Sequence, residues 1–219
     1  MKKKVLLFSL LAVLFVACGD TQISTNDFKG NCKVIGKTKF DMNRLSDKDQ
    51  EEFKQFGVSQ IDVIVVKTID VDEPEIHQLS PSFGARYAMV GDAMEAAKTG
   101  EVYYIDVLYH TNNPIGQVSD FAPTKSYGIP LGRNSYAGKA EVIDIITFSD
   151  NQYLTRAVLK TLDTEKPYLY HLTIPATVSR NDEARKNLQD AETGKTYYME
   201  VSFTTSSLRT PTVSKFSLL

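Results

Sequence analysis

The sequence has few of the residues that usually identify a protein's chemistry. It contains no tryptophan, two cysteines and three histidines among 219 residues. Two cysteines are too few for a disulfide framework, and three histidines give little material for a metal site. Acidic and basic residues nearly balance, with a formal charge of -2, so the sequence lacks the strong positive charge of a nucleic-acid-binding protein. Disulfide scaffolds are therefore excluded, and no nucleic-acid partner is expected.

Familiar catalytic and ligand-binding motifs are also missing from the sequence. Gly194-Lys195-Thr196 matches the end of a phosphate-binding loop, but Gln189 stands where that loop requires glycine. The histidines have no paired spacing that would suit a metal ion. They are His77, His110 and His171. The sequence therefore predicts no catalytic residue, no metal site and no cofactor.

The first 17 residues have the composition of a secretory signal. Several lysines precede an apolar stretch that runs from Val5 to Ala17 and is interrupted at Ser9. A basic start followed by a short apolar stretch is typical of a signal peptide, and a membrane-spanning helix would need about 20 apolar residues. Residues 1–17 are therefore expected to be removed from the mature protein.

Phe15-Val16-Ala17-Cys18 resembles the lipobox of bacterial lipoproteins, in which a diacylglycerol is attached to the cysteine and the chain is cut just before it. The resemblance implies that Cys18 carries a lipid that anchors the protein to a membrane of the cell envelope. Gly19, not Asp, follows the cysteine, which by the sorting rule of such lipoproteins implies the outer membrane, at its periplasmic or surface face. The alternative is an ordinary signal peptide in which Cys18 has no role. Cys32 is expected to be a buried strand residue.

Two parts of the remaining sequence resemble each other. The matched pairs are 99–111 with 193–205, 66–74 with 159–167, and 118–121 with 213–216. Six of the 13 positions in the first pair are identical, and all three pairs have offsets of 93 to 95 residues. Matches in the same order at nearly one offset predict a tandem duplication. His77 and His171 fall at roughly equivalent places in the two copies.

The longest match has the alternating pattern of a β-strand with one buried face. The predicted core side consists of Tyr103, Ile105, Val107 and Tyr109 in the first copy, and of Tyr197, Met199, Val201 and Phe203 in the second. The opposite face carries Tyr104 or Tyr198 and should meet solvent or a partner. Together with Tyr127 and Tyr136, these two tyrosines form the predicted binding surface. The alternative is that all four tyrosines fill the core and its edges.

A short helix is predicted before each of these matched strands. Asp92 and Ser179 are the expected N-caps. Gly100 and Gly194 stand where a residue in the left-handed conformation would follow each helix. The expected apolar sides are Met94 with Ala97 in the first helix, and Leu188 with Ala191 in the second.

The predicted fold class is α+β and predominantly antiparallel β. It is a tandem duplication of a β-β-β-α-β unit packed as two similar halves. The pattern does not decide whether a further strand closes each unit. A polar helix that starts at Ser46 is expected as an insertion in the first copy. The predicted segments are a lipoprotein signal peptide (1–17), a polar tether (18–29), repeat unit 1 (30–121, with the helical insertion at 46–57), an inter-repeat loop (122–137) and repeat unit 2 (138–219).

The sequence indicates a function only by its class. The lipid anchor, the duplication and the lack of a catalytic motif favour a lipid-anchored envelope protein with a non-catalytic binding or assembly role. Its ligand would be a protein or a glycan. One alternative is an envelope hydrolase with a site between the two repeats, where Asp106 and Glu200 are matched carboxylates. Another is a structural accessory subunit of an outer-membrane complex.

Overall fold

The structure is a computed structural model, and it describes residues 23–110, 113–147, 155–174, 182–204 and 207–219. Residues 1–17, Cys18 and Ser179 lie outside the described residues. Within those ranges, no helix is both long enough and apolar enough to cross a lipid bilayer.

The strands of the described chain form two five-stranded antiparallel sheets. The first sheet contains β1 (Phe28–Lys39), β2 (Asp62–Thr68), β3 (Ile76–Leu79), β4 (Val102–Leu108) and β5 (Gln117–Pro123). The second sheet contains β6 (Tyr136–Thr147), β7 (Thr155–Thr161), β8 (Leu169–Ile174), β9 (Thr196–Thr204) and β10 (Ser207–Leu218). The order across the first sheet is β3-β2-β1-β4-β5, and the order across the second is β8-β7-β6-β9-β10. The prediction of a predominantly antiparallel β fold is confirmed, and the helix content is small.

The described residues include three α-helices. They are α1 (Asp47–Gln55), α2 (Ala88–Ala96) and α3 (Asp182–Gln189). α2 lies between β3 and β4 in the chain and packs near β5, whereas α3 lies between β8 and β9 and packs on β10. Each sheet therefore has one helix over one of its faces.

The apolar core of each sheet lies beneath its helix. In β4, Tyr103, Ile105 and Val107 are buried in the core of the first sheet, as the alternating pattern predicts. The counterparts in the second core are Tyr197, Met199 and Val201. The apolar sides predicted for the helices are buried in the same two cores, through Met94, Ala97, Leu188 and Ala191. Burial of these faces holds each helix on its sheet.

Irregularities in strand pairing fall at corresponding places in the two sheets. In the pairing of β1 with β2 the register shifts at Ile35, and in the pairing of β6 with β7 it shifts at Ile143. A second shift occurs at Ser119, between β4 and β5, and one at Ser214, between β9 and β10. The two sheets thus share their strand order and these bulge positions.

Several sequence-based boundaries differ from the structure. β1 begins at Phe28, and Ile23 already pairs with Ile76, so the end of the predicted tether is part of the first sheet. The loop predicted over 122–137 is shorter, since β5 extends to Pro123 and β6 begins at Tyr136.

The N-cap predicted for α2 is wrong. Asp92 lies inside this helix, which follows an extended residue, Tyr87, that makes no side-chain cap. Ala88 and Met89 favour helix, and Val90 is buried, so the helix starts one turn before the polar residue.

The inserted helix α1 lies inside the predicted range 46–57. Ser46 caps it, because its Oγ accepts a hydrogen bond from the Asp49 amide at 3.2 Å, and the Asp49 carboxylate accepts one from the Ser46 hydroxyl at 2.7 Å. The helix covers a small separate core through Phe53. The buried members of this core are Phe40, Leu45, Ile61, Val63 and Ile115.

Candidate functional site

Tyr104, one of the predicted surface tyrosines, is buried where the two sheets meet. Only 1% of it is exposed. The guanidinium carbon of Arg156, on β7, lies 3.4 Å from the centroid of its ring, and the ring centroid of His171, on β8, lies 4.8 Å from it. For Tyr104, the prediction that this face meets solvent or a partner is therefore wrong. Tyr104 meets the other half of the chain and is not available to a ligand.

Arg156 connects the two sheets through several contacts at once. It is 1% exposed and forms an ion pair with Asp120 on β5. Its Nε donates a hydrogen bond to the Thr173 hydroxyl at 3.1 Å. We call the five residues Tyr104, Asp120, Arg156, His171 and Thr173 the junction. A guanidinium suits this position because it can stack on an aromatic ring while its N–H groups donate in the ring plane.

His171 is held in the junction as a neutral imidazole. Both ring nitrogens are buried, and neither has a hydrogen-bond partner in the part of the chain that the structure describes. Burial lowers the pKa of His171 well below its ordinary value, and the positive charges of Arg156 and Lys29 lower it further. Protonation of this ring would place a third positive charge beside those two.

Acidification is expected to destabilise the protein through His171. Because the pKa of His171 is lowered in the folded state, the unfolded chain binds the additional proton, and stability falls as the pH drops below the unfolded value of about 6.5. Between about pH 7.5 and about pH 5.5, His171→Gln is expected to lose about 1 kcal/mol less of its free energy of unfolding than the wild type, as measured by urea unfolding. The matched variant, His110→Gln, changes an exposed histidine and should keep the full loss. An equal pH dependence in both variants would contradict this assignment.

His77 and His171 do not occupy equivalent places. Val66 corresponds to Leu159 in the matched sequences, and His77 pairs with Val66 whereas Tyr170, not His171, pairs with Leu159. Because side chains alternate along a strand, this offset of one residue puts the two histidines on opposite faces. His77 accordingly stacks inside the first core, whereas His171 faces the junction.

Two small cavities adjoin the contact between the sheets. One has a volume of about 30 Å³ and is lined in part by Lys29, Tyr104 and His171. The other, of about 40 Å³, is lined in part by Asp27, Lys29 and Phe203. Typical ligand pockets measure roughly 300–1,000 Å³, so these cavities have room for much less than a substrate.

Tyr198 and Tyr136 lie near each other on the second sheet. The Tyr198 hydroxyl donates to Glu200 at 3.1 Å, and the ammonium of Lys215 lies 5.0 Å from its ring centroid. Tyr136 donates to the carbonyl of Lys139, the residue that pairs with Tyr198 across the strands, at 2.6 Å. Both rings are half-buried and make these contacts with their own sheet.

Tyr127 lies in the connection between β5 and β6. Its hydroxyl donates to Asp144 at 2.7 Å. Burial raises the pKa of Tyr127, and the neighbouring Asp144 carboxylate raises it further. The predicted tyrosine surface is therefore divided. Tyr104 is internal, and Tyr127 ties a loop to the second sheet.

An open cleft lies beside α1, with a volume of about 670 Å³. We call it the helix cleft. It is lined by Leu45, Asp49, Glu52, Phe53, Phe56, Phe83, His110, Asn113 and Ile115. Phe56 is 76% exposed and Phe83 is 49% exposed, so large aromatic surfaces face solvent at its opening. Its volume lies within the range of ligand pockets.

Phe83 reaches α1 because of a tight turn that contains Gly84. In this turn the Phe83 amide donates to the Ser80 hydroxyl at 3.2 Å, and the Gly84 amide donates to the Ser80 carbonyl at 2.8 Å. A Cβ atom at position 84 would lie 2.7 Å from the Gly116 carbonyl oxygen, so a residue larger than glycine would push the backbone apart. The turn places the Phe83 ring edge-to-face with Phe53, at 5.1 Å between centroids.

The sequence alone does not predict the helix cleft. The pattern of α1 does put Phe53 and Phe56 on one side of a polar helix, which is the one local signal of this site. Phe83 and Ile115 come from distant parts of the chain, and no local pattern brings them to α1. Across the described ranges, no three residues of the His, Cys, Asp and Glu types converge in a way that would hold a metal ion.

Comparisons with known proteins give no family for this chain. No protein-family model matches it, and the search of curated proteins found no match.

Proposed function

We propose that this protein is a lipid-anchored protein of the cell envelope that binds an apolar segment of a partner protein in the helix cleft, without catalysis. The observation that carries the proposal is the cleft itself, an open space of about 670 Å³ with exposed aromatic rings at its opening. Exposed aromatic side chains beside an open cleft of this size are typical of binding sites. The resemblance to a lipobox at Cys18 supports the lipid anchor, and Gly19 after this cysteine supports the outer membrane as the location.

A protein segment suits the lining of the cleft better than a glycan. Phe53, Phe56 and Phe83 have no hydroxyl or amide groups to pair with sugar hydroxyls, and Leu45 and Ile115 extend the apolar wall. Apolar side chains of a peptide would gain by leaving water in this cleft. A glycan could pair with Asp49, Glu52 and Asn113, but the three phenylalanine rings offer no partner for its other hydroxyl groups.

We further propose that the two sheets arose by tandem duplication and then diverged in use. Their shared strand order and shared bulge positions support this history, as do the three matched sequence segments. The connection between β1 and β2 covers residues 40–61, whereas the one between β6 and β7 covers residues 148–154. On this proposal, the long connection was added to the first copy and created the cleft.

The hydrolase alternative has less support from the described residues. The cavities between the two sheets measure about 30 and 40 Å³. Of the matched carboxylates, Asp106 forms an ion pair with Lys29 at 2.9 Å, and Glu200 accepts a hydrogen bond from Tyr198. An accessory role in an outer-membrane complex agrees with the binding proposal, since the bound segment would then belong to that complex.

Selection from a library of random peptides tests the proposal. The bait is the protein as purified from the cells that produce it, and a glycan array is probed in parallel. Selected peptides are expected to be rich in aromatic or aliphatic residues and to bind at least about tenfold more weakly to the double variant Phe53→Ser/Phe83→Ser, because aromatic contacts at a site centre carry much of the affinity. Tyr198→Ser, which changes a half-buried tyrosine outside the cleft, should leave binding unchanged.

Two results would overturn this proposal. Peptides that bind the wild type and the double phenylalanine variant equally would show that the cleft is not used. Binding to glycans without binding to any peptide would assign the protein to the other ligand class. Phe53 packs on the small core beneath α1, so the double variant should unfold at a lower urea concentration, and a cooperative urea transition in each variant is the control for folding.

A further inference from the structure

We infer that the helix cleft selects protein segments that carry a positive charge next to apolar side chains. This inference rests on the proposed binding function and names the chemistry of the ligand. Asp49, Glu52, Phe53 and Phe56 all line the cleft, and their spacing of three and four residues places them on one side of the helix.

The charges that line the cleft have one sign. Asp49 and Glu52 contribute two carboxylates, and the lining residues that the structure describes include no lysine or arginine. The Asp49 carboxylate accepts a hydrogen bond from the neutral Ser46 hydroxyl. Neither carboxylate forms an ion pair with Lys or Arg within the described ranges. A cationic group in the cleft would thus meet two carboxylates that form no ion pair with the lysine and arginine side chains that the structure describes.

The aromatic residues favour the same ligand charge. A cation is attracted to the face of an aromatic ring, whereas an anion is repelled by it. Phe53 and Phe83 stand edge-to-face, so the pair offers a ring face and a ring edge beside the two carboxylates. An apolar segment with Lys or Arg can place its aliphatic carbons on the rings and its charge beside Asp49 or Glu52.

The test compares two peptides that differ only in charge, N-acetyl-Leu-Phe-Lys-amide and N-acetyl-Leu-Phe-Glu-amide. Their dissociation constants are measured by saturation-transfer NMR on the full protein as purified from its host, in phosphatidylcholine nanodiscs, with empty nanodiscs subtracted. The lysine peptide is expected to bind about tenfold more tightly, since two carboxylates attract one peptide and repel the other. In Asp49→Asn/Glu52→Gln this preference should fall to near unity while both peptides still bind.

The matched control is Asp47→Asn/Glu51→Gln, which removes the same charge from α1 at positions that do not line the cleft. It should keep the preference for lysine. Asp49 also accepts a hydrogen bond from Ser46, the N-cap of α1. The single variant Glu52→Gln, which leaves this cap intact, is therefore measured as well and should lose part of the preference for the lysine peptide.

The outcomes separate the inference from the proposed function. Equal binding of both peptides to the wild type would overturn the charge preference and leave the binding function standing. A preference that persists in Asp49→Asn/Glu52→Gln would also overturn the inference. If neither peptide binds the wild type, both the inference and the proposed function fail.

Discussion

Arg156→Ala is expected to lower the free energy of unfolding by about 3–5 kcal/mol, the usual cost of removing one partner of a buried ion pair. Arg156 is almost fully buried, and its partner, Asp120, keeps only a small part of its side chain in water. Without the guanidinium, the Asp120 carboxylate would stay at the junction with no positive partner there. The ring of Tyr104 would also lose the cation stacked on it.

Urea unfolding of Arg156→Ala and Arg86→Ala measures this effect against a matched control. Arg86 also stacks on a tyrosine, with its guanidinium carbon 5.4 Å from the ring centroid of Tyr87, but both residues are exposed. Its removal is expected to cost less than about 1 kcal/mol. The double variant Arg156→Met/Asp120→Leu should be more stable than Arg156→Ala, because it leaves no unpaired charge in the junction. Equal stability of Arg156→Ala and Arg86→Ala would contradict the role given to the junction.

Cys18→Ser is expected to abolish lipid attachment and to release the protein from the membrane fraction. The thioether of a lipoprotein forms on sulfur, and a serine hydroxyl does not replace it in that reaction. Each buried methylene of an acyl chain contributes about 0.8 kcal/mol to membrane binding. A protein without the acyl chains should therefore lose nearly all of this membrane binding. Labelling with radioactive palmitate, followed by a carbonate wash of the membranes, measures both consequences.

Cys32→Ser is the control for the lipidation experiment. Cys32 is the other cysteine of the chain and is fully buried in the first core, where burial raises the pKa of its thiol. Its replacement should leave palmitate incorporation unchanged. Label that persists in Cys18→Ser, or that disappears in Cys32→Ser, would refute the assignment of the anchor to Cys18.

Local pattern was sufficient to predict the main elements of the fold. The alternation around Tyr103 and Tyr197 identifies the core faces of β4 and β9, because the period of a strand is two residues. Gly100 and Gly194 have positive φ angles, of 92° and 82°, as expected for residues in the turns that follow the helices. Each of these features depends on residues close together in the sequence.

The sites depend on residues that are far apart in the sequence, and they were not predicted. Tyr104 has the pattern of an outward-facing strand residue, and only the packing of the second sheet buries it. Arg156 looks like an ordinary polar residue near the start of a strand until Asp120 and Tyr104 are placed beside it. In the same way, Phe83 becomes part of the helix cleft through a turn whose position no periodicity reveals.

Photo-crosslinking in the cells that produce the protein tests the use of the helix cleft most directly. p-Benzoylphenylalanine replaces Phe56, at the opening of the cleft, or Tyr198, which belongs to the predicted tyrosine surface on the second sheet. The expected result is a discrete protein adduct from position 56 that is absent from position 198 and is lost when Phe53→Ser/Phe83→Ser is added. An adduct from position 198 alone, or no adduct from position 56, would contradict the assignment of binding to the helix cleft.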